Sequence, residues 1–270
     1  MPMNIPVLPD TIQKEIQKFI ENYPYINTNE PIRDSIFEIL DDKCIILYYP
    51  QENEENDGSL IQKYINDKLT NFVHINTYKV IEKQVFTAAH ELGHILTLHE
   101  YLLENCDEYN QKHDKDIEEA AMNYFAALIL MPTEYFTDKA TSLFKNHEHN
   151  IDLYDFIKIA LNLMDTFFVP FKAVVVRLYE INIISKKTAE LLINNNIILN
   201  EINDYIKIYN FTRLGIRSQK KGIKGYPELI SKVEDAEIFN SRKINNTRNK
   251  LDIPVNNLIE TNNLKINLEI

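Results

Sequence analysis

Thr87-Ala-Ala-His-Glu-Leu-Gly-His-Ile-Leu-Thr-Leu-His-Glu100 decides how this chain is read, and within it His90-Glu91-Leu92-Gly93-His94. Side chains four residues apart share one face of a helix, so His90 and His94 can offer two imidazole nitrogens to a single metal ion. A catalytic zinc commonly takes three protein ligands and leaves its fourth position to water, whose pKa then falls to near 7. Glu91 follows the first histidine, where its carboxylate reaches that water rather than the metal and can act as a general base. Helical flanks support the reading. Val85, Phe86, Ala89, Leu92 and Leu96 form an apolar stripe at spacings of three and four, and Lys79, Glu82 and Lys83 are expected as its solvated start. Gly93 costs about 1 kcal/mol inside a helix relative to alanine, which suggests that another backbone packs close there. The five-residue pattern also arises by chance on amphipathic helices, so the surroundings must carry the rest.

Upstream, Lys43-Cys-Ile-Ile-Leu-Tyr-Tyr49 reads as a buried strand holding Cys44, a second strand is expected near Leu60 to Tyr64, and Asn71-Phe-Val-His-Ile-Asn76 as a third. The charged stretch from Gln51 to Gly58 between the first two reads as a solvated turn, and His74 as a sheet residue rather than a ligand. A small sheet followed by a helix bearing this motif is the arrangement of a zincin-type core. Downstream, an acidic connection from Glu100 to Asp116 leads into the apolar helix from Ile117 to Met131, stopped by Pro132. A third histidine six residues past His94 is absent, since Glu100 stands there. A carboxylate on the following helix is the natural third ligand, and Glu119 lies 25 residues beyond His94. Acids in a first turn are also what the helix dipole favours, so Glu118 and Glu119 have a structural explanation as well.

These two motifs, with Val73-His-Ile-Asn76, resemble the ImmA/IrrE metallopeptidases over roughly residues 35 to 185; the resemblance is carried by Phe86-Thr-Ala-Ala-His-Glu-Leu-Gly-His94 and by Glu119 to Asn123 followed by Phe125-Ala-Ala-Leu-Ile-Leu-Met-Pro132. It implies a compact zinc peptidase whose metal ligands are His90, His94 and the glutamate six residues before Phe125, which is Glu119. Many members carry Glu-Ala before the asparagine where this chain has Ala121-Met122, so Glu118 stays open as the alternative. The resemblance also implies a substrate type, a helix-turn-helix repressor or antitoxin, and with it a role in transcription regulation.

Composition narrows the partners. Forty Asp and Glu against 29 Lys and Arg give a net charge of -11, so the chain as a whole repels nucleic acid and anionic membrane surfaces. Met1 to Pro9 has neither a basic region nor a long apolar run, and no apolar run elsewhere reaches about 18 residues, which leads to the expectation of a cytoplasmic protein with no membrane partner. The two cysteines, Cys44 and Cys106, lack the spacing of a disulfide or thiolate site.

Elsewhere, Asp10 is expected to cap a first helix with Ile12, Ile16, Phe19 and Ile20 on its inner face, and Ile32, Ile36, Phe37 and Leu40 read as a second. Helices after Asp152, around Val169 to Glu180 and after Ser185 read as a packing module or a helix-turn-helix. With four acids and three bases between Asp152 and Glu180, packing is favoured over direct DNA reading. His147 and His149 read as surface residues. Gly215, Gly222 and Gly225 among Arg213, Arg217, Lys220, Lys221 and Lys224 read as a flexible basic loop or hairpin, with a solvated loop favoured, and Leu264 to Ile270 as an edge strand.

The fold expected is therefore α+β: a zincin-like metallopeptidase core at 1–132, a helical module, helix-turn-helix-like or not, at 133–195, and a C-terminal α/β extension at 196–270. The function expected is that of a zinc endopeptidase with Glu91 as base, cutting an intracellular protein. The alternative is a partner-binding regulator that does not cut and holds zinc structurally. Tyr101, Tyr109, His113 and Tyr124 are the candidate oxyanion partners.

Overall fold

Three short β-branched and aromatic runs pair edge to edge, and the helices pack on one side of the sheet they form. In a computed structural model, residues 5, 8–52, 56–65, 67–145, 151–223, 225–235 and 239–250 are described. β1 (Ile45–Tyr49), β2 (Gly58–Ile65), β3 (Lys68–Asn76) and β4 (Gly222–Ile223) lie in the order β2-β3-β1-β4. β3 runs parallel to β1, with Ile46 beside Val73 and Tyr48 beside Ile75, and the other pairings are antiparallel. Ile46, Val73 and Ile75 point inward and are fully buried.

Two helices hold the centre. α3 (Ile81–Ile95) buries Val85, Ala88, Ala89 and Leu92, and α6 (Lys115–Leu130) buries Ala121, Met122, Phe125 and Ala126. Asp114 caps α6 by accepting the Ile117 N–H at 2.8 Å. Gly93 lets these helices close on each other, because a Cβ there would sit 2.9 Å from the Met122 sulfur and 3.1 Å from Phe125. The close approach expected of this glycine is thus to side chains of α6 and not to a backbone.

α1 (Asp10–Glu21) lays Ile12, Ile16 and Phe19 against α6 and α4 (Leu98–Asn105), with the Phe19 ring 4.9 Å from Tyr101 and 6.2 Å from Phe125. Its N-cap is Pro9, and Asp10 is its first residue rather than its cap. α2 (Ile36–Asp41) buries Ile36 and Leu40. Cys44 is half-buried in the bend before β1, outside the strand that was to hold it. The acidic connection is itself helical, as α4 and α5 (Asp107–Lys112), because Leu98, Leu102 and Tyr109 recur at turn spacing and are fully buried. α7 (Thr133–Phe144) follows Pro132, and α8 (Leu153–Phe167) begins at the Asp152 cap. α9 (Phe171–Glu180) crosses α8 at 100°. Only Lys172 of α9 is exposed, so this helix packs inward on nearly every side. α10 (Lys186–Ile193), α11 (Asn196–Ile208), α12 (Tyr226–Asp235) and α13 (Ser241–Lys250) complete the described chain. No single helix among the described residues is long and apolar enough to cross a membrane. His147, His149, Lys224 and the stretch from Leu264 to Ile270 lie outside the described residues.

The segment expected as a solvated basic loop is instead pinned to the start of α3. Ile216 accepts the Ile81 N–H at 2.8 Å, Gln219 N–H reaches Thr77, the Thr77 hydroxyl reaches Lys220, and β4 extends the sheet beside β1. Its cations lie over aromatic rings: Arg217 over Tyr78 at 4.5 Å, Lys220 over Tyr48 at 3.9 Å and Arg213 over Phe168 at 4.7 Å. Gly215, at φ +73°, donates its N–H to Glu82 Oε1 at 3.0 Å. Glu82 is therefore only 2% exposed, and the solvated start expected for α3 is a covered one.

Burial holds the Glu82 carboxyl above its usual value, against the pull of its own and Gly215's N–H groups. An acid whose folded pKa is raised contributes stability that is fully present below the unfolded value and is lost as pH rises through the folded one. Glu82→Gln, which stays neutral, is expected to gain stability relative to the parent chain from about pH 4.5 upward. Urea unfolding of both metal-free proteins across that range checks this, and parallel pH slopes would count against it.

Candidate metal centre

α3 presents His90 and His94 one turn apart, with ring centroids 5.1 Å from each other, and α6 lays its first turns across them. One ligand atom each from His90, His94 and Glu119 lie within 4.8 Å of one another. His90 Nε2 stands 3.3 Å from Glu119 Oε2. Tetrahedral zinc at about 2.0–2.1 Å from nitrogen and oxygen ligands holds those ligands about 3.3–3.4 Å apart, so the pair is spaced as two ligands of one ion. The donor set of two imidazoles and a carboxylate fits zinc.

Neighbours orient these ligands. His90 Nδ1–H donates to Asn123 Oδ1 at 3.0 Å, which fixes the tautomer that leaves Nε2 free to ligate. Asn123 is one helical turn beyond Glu119, so α6 supplies both a ligand and the group that aims another. Glu118 takes a different place: its oxygens lie 3.9 Å from His94 Nδ1 and 3.9 Å from His99 Nδ1. His99 Nδ1 in turn meets the buried Tyr109 hydroxyl at 2.8 Å. Of the two adjacent glutamates it is Glu119 whose oxygen converges with the imidazoles, and Glu118 stands behind His94.

Glu91 is 7% exposed and lines the same cleft. Burial, with a further push from Glu119 and an opposing pull from His90, raises its carboxyl to about 7. Burial lowers His94, whereas for His90 the hydrogen bond to Glu119 and the nearby carboxylates outweigh burial and raise it. The same hydrogen bond holds Glu119 low. The cleft, of about 700 Å³, is closed on its other side by the start of β2. That strand comes this near because Gly58 has no side chain: a Cβ there would lie 2.5 Å from Thr87 Cγ2 and 2.8 Å from the His74 carbonyl, with Glu91 Oε1 at 3.7 Å.

The β1–β2 connection is anchored by Asn76, which is fully buried. Its amide donates to the Gln51 and Asn56 carbonyls at 2.8 and 2.6 Å and accepts the Gln51 N–H at 2.8 Å. Asp57 then joins the connection to α3 through Lys79 at 3.2 Å and Lys83 at 2.9 Å. Burial acts to raise Asp57, but the two lysines prevail and hold it low. His74 is a sheet residue whose Nε2 meets the Tyr49 carbonyl. Sequence reasoning placed no role on Asn123, Asn76, Asp57 or Lys115, and gave Lys83 only a place in the solvated start of α3, although Asn76 and Asn123 each end a quoted motif and both lysines line the cleft. None of the expected oxyanion partners lines the cleft. The Tyr101 hydroxyl faces Glu15, Tyr109 faces His99, His113 Nδ1 meets the Asn110 carbonyl and Tyr124 is buried beside Arg177. Helix formation across the acidic connection turned three of them away.

With this geometry stands a match of residues 44–179, half of the chain, to the family model of a peptidase family, the IrrE N-terminal-like domain. The chain belongs to that family. The IrrE N-terminal-like domain thus covers the sheet's first three strands, both motif helices, α8 and nearly all of α9, while the segment that pins the start of α3 lies beyond it. Among solved structures, a Mycobacterium tuberculosis transcriptional regulator aligns at 16% identity and a TM-score of 0.42, over 64% of this chain and 47% of that one. No curated protein matches the chain.

Proposed function

We propose that this protein is a zinc-dependent endopeptidase that hydrolyses a peptide bond in one intracellular protein, a helix-turn-helix repressor or antitoxin. The observation that carries the reading is the convergence of His90, His94 and Glu119 on one side of an open cleft that also holds Glu91. Zinc bound by these three residues would supply an electrophile that acidifies a water and polarises the scissile carbonyl. Glu91, whose carboxylate lines the same cleft, would take a proton from a water held there and pass it to the leaving amine. Asn123 keeps the His90 ring in register, and β2 and Asp57 hold the facing wall.

A non-catalytic regulator with structural zinc accounts for less. Structural sites are closed by four protein ligands, whereas here three among the described residues converge beside a cleft with a buried carboxylate next to them. The acids of α4 and α5 and the net charge of -11 suit a basic DNA-binding substrate. Zinc-loaded protein incubated with purified helix-turn-helix repressors encoded near its gene is expected to yield a single cut by intact mass, to stop on chelation, and to slow as salt rises. No cut in any of them removes the substrate class, and a flat salt response removes the steering by charge.

A further inference from the structure

Beside the metal cleft lies a second cavity, of about 500 Å³ and mostly apolar, which shares Lys83, Phe86 and Asn123 with it. Its floor is one face of α6, Ala120, Tyr124 and Ala127, and its far wall is Ala173 and Val176 of α9. Phe86 is one turn before His90, and Ala127 is one turn beyond Asn123. The cavity therefore begins about 5.4 Å along each helix from the metal ligands or their neighbours. An extended peptide advances about 3.3–3.6 Å per residue, so a chain held with its scissile bond at His90 and Glu119 brings a side chain one or two residues away over this opening.

We propose that this cavity is the specificity pocket of the peptidase and takes one large apolar side chain, leucine or bigger, next to the scissile bond. The polar groups that line it are for the most part either engaged with neighbours or, as Asp10, Lys172 and Asn182 are, exposed to solvent. Glu180 pairs with Arg177 at 2.9 Å, Gln13 donates to the Leu8 carbonyl at 2.8 Å, and Lys83 pairs with Asp57 at 2.9 Å. A charged guest would find no free partner deep in the pocket, while an apolar guest loses nothing by burial there. The inference rests on the peptidase reading of the cleft, so its test has an arm that needs neither metal nor turnover.

In that arm, N-acetyl-leucine methylamide is titrated into the metal-free full chain and followed by the methyl resonances of Ala120, Ala127 and Ala173. Saturable shifts are expected with this probe but not with N-acetyl-aspartate methylamide, and both Ala173→Phe and Val176→Phe, which fill the pocket from α9, are expected to abolish them. In the second arm the zinc-loaded chain is given a peptide library. A preference of about 10- to 100-fold for leucine over glycine at one position beside the cut is expected, shifting to small residues in either variant. Absence of saturable shifts, equal response to the aspartate probe, or a cleavage profile unchanged in both variants overturns the pocket. If the leucine probe binds as expected and the library is not cut, the peptidase reading falls and the apolar pocket stands.

Discussion

Glu91→Gln is expected to lower turnover by about 10²- to 10⁴-fold while zinc stays at one ion per chain. Glutamine keeps the size of the side chain and a carbonyl oxygen facing the cleft, but it accepts no proton at neutral pH. Because Glu91 is 7% exposed and its carboxyl is raised to about 7 by burial, the neutral amide also relieves a buried group. Folding is therefore expected to be unharmed, and the loss falls on the chemical step. Cleavage rates on whichever repressor the parent chain is found to cut, with metal content by mass spectrometry and a thermal melt alongside, separate the two. Retained turnover would remove Glu91 from the proton-transfer role, and lost zinc would make it a ligand.

Zinc content is the second large effect. His90→Ala, His94→Ala and Glu119→Ala are each expected to drop it from one per chain to near zero, while Glu118→Ala keeps it. Two remaining donors make a poor site for an ion that takes four. Asn123→Ala leaves the donors in place but frees the His90 ring, and is expected to weaken zinc about 10- to 100-fold without abolishing it. Glu118 stands behind His94 rather than at the point of convergence, so its removal acts on ring orientation alone. Equal loss in Glu118→Ala and Glu119→Ala would mean that both carboxylates reach the ion. No zinc on the parent chain would leave the motif as a helix face.

Spacing carried much of this. An i, i+4 histidine pair, the glutamate between and an apolar stripe define a helix face wherever the helix ends up, so α3 and the placing of His90, Glu91 and His94 on it were legible in Thr87 to Glu100. β1 and parts of β2 and β3 were legible too, since short runs rich in apolar and aromatic residues bounded by turns need only local rules, although β2 starts two residues before, and β3 three residues before, the stretches read from sequence. What failed were readings in which polarity was taken for exposure. Glu82 looked like a solvated helix start, but a segment more than 130 residues away delivers the Gly215 N–H to its carboxylate and closes over it. The basic stretch around Arg217 looked like a loop, but its cations sit on aromatic rings of the core and its backbone pairs with β1. The acidic connection looked like a linker, but Leu102 and Tyr109 pull it into two packed helices.

The sequence by itself determined the local periodicities, the two motifs and the order in which they occur, because those depend on neighbours three and four residues apart. Only the tertiary structure decided between Glu118 and Glu119 as the carboxylate that meets the imidazoles. Adjacent residues on a helix point about 100° apart, so the rotation of α6 against α3 chooses one of them, and that rotation is set by Gly93 seating Met122 and Phe125.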